Sequence, residues 1–177
     1  DVPTGVNVAF VNKPGAVQSV ISVFYPIDFK PGAEDNPQVS VMANIFGGAF
    51  SSYLNANLRE DKGYTYGARG YVRSNKLVGS YKAGASVRNE VTDSSIVQIF
   101  HEMNRISEEN VSDVDLERIK NNMIGNFALS MENKQTIARQ ALNIERYNLP
   151  STYYSDYLSA VQKVDQSLVL SAAKKYI

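Results

Sequence analysis

The sequence predicts a two-layer α/β domain of the α+β kind, in which an antiparallel-leaning mixed sheet is covered by helices on one side. β-rich runs mixed with helical segments fill the chain as far as Arg88, and helical spacing of apolar residues dominates after it. Because sheets and helices each bury one apolar face, such an order favours two packed layers. A chain of 177 residues fits one domain, which can bury about 70% of its unfolded surface without disulfides or metals.

Four strands are predicted from their content of β-branched and aromatic residues. Val6–Val11 and Gln18–Tyr25 flank the turn-forming sequence of residues 12–15, so we expect two adjacent strands to open the domain. Thr65–Val72 and Lys76–Val87 are close enough to form a hairpin. Strict alternation in this hairpin would place Tyr64, Tyr66 and Ala68 on one face.

Helices are predicted where apolar residues recur every three or four positions. The first is a buried helix containing Val39, Met42, Ala43 and Phe46. The others are assigned from apolar spacing together with N-cap residues that can accept a hydrogen bond from the first turn. They are a helix capped by Thr92 or Asp93, a long helix opened by the capping box Ser112-x-x-Asp115, a helix over about 133–147, a short helix capped by Ser151 and a last helix capped by Asp165.

Residues 47–67, GGAFSSYLNANLREDKGYTYG, form the most informative segment. Gly47-Gly48 favours close packing at a helix kink over a phosphate cradle, since no Lys-Ser/Thr pair follows as in a P-loop. The end of a helix is expected over Asn55–Lys62, with Gly63 in the left-handed conformation that closes it.

Arg59 and Tyr66 lie seven positions apart across this helix-to-strand connection, so both can face one groove. A guanidinium with five donors and a phenolic hydroxyl can both point at a peptide carbonyl and at the oxyanion that it becomes. Structural explanations are also open. The helix dipole favours an Arg near a helix C-terminus, and a strand Tyr packs well on a pleated surface.

The sequence is poor in metal ligands, with one His and no Cys, whereas a catalytic zinc usually takes three protein ligands. His101 begins a His-Glu-x-x pattern, but Arg105 occupies the position of the second His. The inverted pattern His-x-x-Glu-His also fails, because Gln98 stands in place of the first ligand and Met103 follows Glu102. We therefore predict a partly buried or surface helix His and no metal site or cofactor in this domain.

Composition excludes several classes of function. The 18 basic and 18 acidic residues give zero formal charge, so no basic face indicates a nucleic acid or an anionic membrane. No apolar run approaches the roughly 20 residues of a membrane span, so no transmembrane segment is expected. The start at Asp1 indicates that domain 1–177 was cut from a longer chain. Richness in Tyr, Asn and Ser favours the bacterial cell envelope or periplasm over the cytoplasm.

The same segment resembles the second half of the pitrilysin/insulinase family of zinc metallopeptidases, which includes the mitochondrial processing peptidases. The family's counterpart reads small-Gly-Gly, Ser-x-Leu and Leu-Arg-Glu-x-x-Gly-x-x-Tyr, here Gly47-Gly48, Ser52-Tyr53-Leu54 and Leu58 to Tyr66. The resemblance extends over nearly the whole chain, including Gln18-Ser19, Leu116 to Asn121 and Tyr153 to Ile177. Tyr53 departs from it, since many relatives carry Arg at this position.

The resemblance implies that this is the metal-free C-terminal half of a two-domain zinc endopeptidase, inactive by itself. Arg59 and Tyr66 would then bind the backbone of an extended peptide and stabilise the oxyanion, while zinc on a fused N-terminal half or a separate subunit supplies the attacking water. The face that meets this partner should be partly apolar and could also pair two copies of the isolated fragment. The alternative is a non-catalytic family member that acts as a scaffold or core subunit of an assembly.

Overall fold

The structure, a computed structural model, describes residues 5–177 and contains one antiparallel sheet of three strands in that range. They are β1 (Gln18–Ile27), β2 (Thr65–Arg73) and β3 (Gly79–Arg88), in the spatial order β1-β3-β2. The predicted hairpin is confirmed, because β2 pairs with β3. β1 pairs with β3 without interruption from Gln18 opposite Arg88 to Ile27 opposite Gly79.

One predicted strand is wrong. Val6–Val11 has no strand structure, and the side chains of Val6, Val8, Phe10 and Val11 are 86 to 87% exposed. A β-rich sequence forms a strand only when a neighbouring strand accepts its hydrogen bonds, and within residues 5–177 nothing pairs with this segment. Both described strand pairings are antiparallel, so the described sheet contains no parallel pair.

Helices make up the rest of the regular structure, and two of them continue as π-helical turns. α1 (Asn36–Ala43) runs into a π turn over Asn44–Gly48, and the short α2 (Tyr53–Asn55) runs into another over Ala56–Asp61. A 3₁₀ turn precedes the second half of the chain. The helices there are α3 (Thr92–Glu108), α4 (Asp113–Ser130), α5 (Lys134–Tyr147), α6 (Tyr153–Gln162) and α7 (Gln166–Tyr176).

Two of the predicted caps are confirmed and two are wrong. The Ser112 hydroxyl and the Asp165 carboxylate accept hydrogen bonds from the first turns of α4 and α7. By contrast, α3 begins without a side-chain cap, because the Thr92 hydroxyl donates to the carbonyl of Asn89 in the preceding 3₁₀ turn. α6 also lacks a side-chain cap and begins one residue later than the Ser151 cap predicts.

The helices cover one face of the sheet, which confirms the two-layer prediction. Alternate residues of β3 from Gly79 to Val87 are buried, and Tyr81, near the start of this strand, is the largest fully buried side chain of the described residues. Tyr25 of β1 stacks on Tyr81 with ring centroids 4.7 Å apart. The opposite face carries apolar side chains without cover from the described residues, because Val20 and Phe24 are 78% and 63% exposed.

Gly47 lies where the first π turn crosses β2 at Gly70. A Cβ on Gly47 would be 2.3 Å from the Gly70 nitrogen, and a Cβ on Gly70 would be 2.6 Å from the ring of Phe46. Both distances are far shorter than any van der Waals contact, so the crossing requires two glycines. This confirms that Gly47 serves close packing.

Candidate substrate-binding site

The predicted helix end that carries Arg59 forms, as the π turn Ala56–Asp61. Leu54 and Leu58 are fully buried beneath it, which leaves Arg59 directed away from the core with its side chain 33% exposed. Gly63 closes the turn with φ of +61°, as predicted, and its N–H donates to the Arg59 carbonyl at 3.2 Å. π turns are rare in proteins, and those that occur are found frequently at functional sites. The π turn that carries Arg59 therefore supports a functional role for this segment.

Tyr66 lies in a β-bulge at the start of β2, and its side chain is 93% exposed. Thr65 pairs with Val87 and Ala68 with Ala85, so three steps on β2 oppose two on β3. The prediction that Tyr66 and Ala68 share a face is therefore wrong over this stretch. Ala68 is fully buried, and the extra residue directs Tyr66 to solvent.

Asn55 joins the helical turn to the bulged strand. Its side chain is buried, its Oδ1 accepts a hydrogen bond from the Ala68 N–H at 2.8 Å, and its Nδ2 donates to the Ala49 carbonyl at 3.4 Å. Sequence reasoning did not single out Asn55. The only signal was a polar residue on the apolar side of the helix, beside Leu54 and Leu58.

A second polar anchor ties the Arg59-bearing turn to α3. The Asn57 side-chain amide donates to Glu102 Oε1 at 2.6 Å and to Gln98 Oε1 at 3.0 Å. The Glu102 carboxylate is buried, and the Arg105 guanidinium lies 3.4 Å from its second oxygen. The backbone that leads into Arg59 is thus tied to α3 through Asn57 and to β2 through Asn55.

The departure at Tyr53 is accommodated by the same arginine. Tyr53 is buried, and the Arg105 guanidinium carbon lies 4.2 Å from the centre of its ring. Burial raises the pKa of the Tyr53 phenol, and the positive charge of Arg105 opposes this shift. Arg105 of α3 therefore places a positive charge beside Tyr53, at the position where many relatives carry Arg.

Arg59 and Tyr66 come from the two ends of one short connection, and β2 packs directly on the π turn. Their side chains make no hydrogen bond to each other in the described structure. The Arg59 guanidinium lies 4.4 Å from the ring centre of Phe50 and 3.5 Å from Glu60 Oε1. The donors of Arg59 and the Tyr66 hydroxyl therefore remain available to a ligand.

The predicted surface position of His101 agrees with the structure, in which its side chain is 63% exposed on α3 and its Nε2 lies 4.0 Å from Glu102. Across residues 5–177, no three His, Asp or Glu side chains are grouped as a metal site. Within the same residues, no helix is both long and apolar enough to cross a bilayer.

The fold and this connection together define the class of protein. The described residues combine a three-stranded antiparallel sheet covered by helices with a close glycine crossing and a connection that carries Arg59 and Tyr66, as expected for the zinc-free domain of a zinc-peptidase family. The model of the family described as "Peptidase M16 inactive domain" matches residues 2–123. The chain belongs to this family of peptidases, as its inactive domain.

Solved structures agree with the family assignment. The peptidase M16 inactive domain from Pseudomonas fluorescens is similar to 99% of this chain at a TM-score of 0.85 and 20% identity, and the match takes up 45% of that chain. The inactive peptidase domain of a candidate zinc protease from Bordetella parapertussis gives a TM-score of 0.76 at 15% identity, covering 95% of this chain and 90% of the other.

A third similar structure is the periplasmic protease PqqL from Escherichia coli, with a TM-score of 0.73 and 14% identity over 92% of this chain and 18% of its own. At these identities the likeness establishes the fold. No curated protein sequence matches the chain. The chain spans 45% of the length of the Pseudomonas fluorescens chain.

Proposed function

We propose that this domain is the substrate-binding, metal-free half of a zinc endopeptidase. Arg59 would hold a backbone carbonyl of the peptide, and Tyr66 would donate to the oxyanion that forms at the scissile bond. The observation that supports these roles is the exposure of both polar groups on a connection whose backbone is fixed by Asn55 and Asn57. Fixed donors stabilise developing charge more effectively than donors that must reorganise.

The zinc ion would be held by a partner half, which supplies the Lewis acid and the attacking water. This domain would contribute hydrogen-bond donors and would help to exclude bulk solvent from the reacting groups. An extended peptide could add to the free edge of β2, which pairs only with β3 among the described strands and carries Tyr66 near its start. Main-chain pairing at such an edge gives loose sequence preference.

Exposed apolar residues support a partner half that covers part of this domain. Val6, Val8 and Phe10 lie outside the sheet, and none of the residues of α5 is buried. An amphipathic helix with that little burial does not stabilise itself in water. Since the Pseudomonas fluorescens chain has more than half its length outside the match, we expect the zinc-bearing half to cover part of these exposed residues.

The test is hydrolysis of a quenched fluorescent peptide by the complete peptidase, comparing the wild type with Arg59→Ala and Tyr66→Phe. Tyr66→Phe should lower kcat about 100- to 1000-fold with little change in KM, since it removes one donor to the oxyanion. Arg59→Ala should affect both constants, because a carbonyl is held in the ground state as well. Equal activity of all three proteins would contradict the proposal.

Tyr71→Phe is a matched control, because it removes a phenolic hydroxyl from the same strand but outside the bulge; the Arg73 guanidinium carbon lies 4.4 Å from the centre of the Tyr71 ring. It should leave kcat unchanged. An inactive wild-type complex would favour the alternative, a non-catalytic scaffold or core subunit of an assembly.

The periplasmic location of the Escherichia coli relative supports placing the parent protein in the bacterial cell envelope.

A further inference from the structure

We infer that Phe50 is a positioning residue for Arg59, an inference that rests on the proposed function of that arginine. Phe50 is a large aromatic side chain that is 69% exposed on the loop between the first π turn and α2. The Arg59 guanidinium carbon lies 4.4 Å from the ring centre. This distance is well within the range of a cation–π contact, which extends to about 6 Å.

The loop that carries Phe50 is held by three other elements. Arg69 of β2 donates to the Gly48 carbonyl at 3.3 Å, and Asn55 donates to the Ala49 carbonyl at 3.4 Å. Arg118 of α4 donates to the carbonyl and hydroxyl oxygens of Ser51. The backbone on either side of Phe50 is therefore held independently of Arg59.

Arg118 is itself held in place by a carboxylate. It pairs with Asp115, which also accepts a hydrogen bond from the capping residue Ser112. Burial raises the pKa of Asp115, but the hydrogen bonds from Arg118 and Ser112 outweigh this effect and keep it below its usual value. The loop is thus anchored to the start of a long helix.

Few other contacts restrain the Arg59 side chain. Its only described ion pair is with the adjacent Glu60, whose side chain is 63% exposed, and such pairs are screened by solvent. No side chain or carbonyl of residues 5–177 accepts a hydrogen bond from the Arg59 guanidinium. The face of the Phe50 ring is therefore the main feature that orients the guanidinium.

The chemistry of this contact suits a group that must bind a carbonyl. A carboxylate would orient an arginine by neutralising it and would compete with the substrate oxygen for the same donors. An aromatic ring attracts the cation through its quadrupole and provides no acceptor oxygen. Phe50 thus orients Arg59 while the positive charge remains available to the peptide.

The test is a double-mutant cycle in the complete peptidase, with kcat and KM measured on a quenched fluorescent peptide. Phe50→Leu keeps apolar bulk but removes the ring, and it should lower kcat/KM about 3- to 10-fold. Phe50→Tyr keeps the ring and should restore activity to near the wild-type value. In an Arg59→Ala background, Phe50→Leu should have no further effect.

Three outcomes would overturn the inference: equal activity of Phe50→Leu and wild type, failure of Phe50→Tyr to restore activity, or the same loss with and without Arg59. The last would mean that the ring acts on the substrate directly. Because Phe50 is largely exposed, these substitutions should leave unfolding unchanged, and a urea titration of each variant checks this.

A spectroscopic readout separates this inference from the proposed function. The Arg59 Nε–H proton should show a ring-current shift in the wild type and in Phe50→Tyr that disappears in Phe50→Leu, with Arg59→Lys identifying the signal. If Arg59→Ala alone is fully active, the proposed function fails, and the shift still decides whether Phe50 positions Arg59. An unchanged Arg59 signal in Phe50→Leu would refute the positioning.

Discussion

Replacing Asn55 by Ala should destabilise the domain more than any other single polar substitution near the site. The variant loses the bonds to Ala68 and Ala49, worth about 1 kcal/mol each, and leaves the Ala68 N–H buried without an acceptor, which costs about 1–3 kcal/mol. Because these contributions overlap, we expect a loss of about 2–4 kcal/mol. For a domain of this length that corresponds to roughly 5–15 °C in Tm.

Urea unfolding followed by circular dichroism measures this loss. The midpoint should fall while the slope m stays constant, since the native state remains equally compact. Asn121→Ala is the matched control, because Asn121 is exposed on α4, and it should change stability by less than about 0.5 kcal/mol. A midpoint for Asn55→Ala equal to that of this control would refute the reasoning that Asn55 joins the helical turn to β2.

Two further predictions concern packing and pH. Gly70→Ala should destabilise the domain by about 1–3 kcal/mol, because the new Cβ would lie 2.6 Å from the Phe46 ring. Gly125→Ala should stabilise the domain by about 0.5–1 kcal/mol, because this glycine is in a helix and its new Cβ would have no atom within 4 Å. Equal effects of the two substitutions in thermal unfolding would contradict the close crossing. Burial raises the pKa of Asp35, but the hydrogen bonds from Lys175 and Tyr176 outweigh it and hold this pKa below its usual value. Its stabilisation is therefore present above the unfolded-state pKa of about 3.9 and is lost as pH falls through the lower folded-state value. Asp35→Asn should cost about 1 kcal/mol at pH 7 and nothing near pH 2, and a difference that persists at pH 2 would exclude the ionised carboxylate as its cause.

Local signals in the sequence were sufficient for most of the fold. The hairpin of β2 and β3 and the caps at Ser112 and Asp165 depend on residues close together in the chain, so spacing and side-chain chemistry predict them. Arg59 and Tyr66 were selected by a motif, and their roles stay predictions. The motif specifies residue types, and it leaves open how the two side chains are presented.

The features that sequence reasoning missed depend on neighbours in space. The Val6–Val11 segment has strand composition, but a strand needs a partner that the described chain does not provide. The bulge at Tyr66 depends on the register against β3, and strict alternation cannot reveal an extra residue. Sequence reasoning did not single out Phe50, because a single exposed aromatic residue is common on protein surfaces. Only the structure shows that the Arg59 guanidinium lies over its ring.

The sparse packing of α5 has a consequence for how the domain opens. A segment whose stability depends on few buried contacts opens at low free-energy cost, long before the whole domain unfolds. Its backbone amides should exchange with deuterium fast, while those of β3 should exchange only through global unfolding. If a zinc-bearing half covers α5, as we propose, amide protection in α5 should rise most when the two halves associate. Deuterium exchange of this one helix would then report assembly residue by residue.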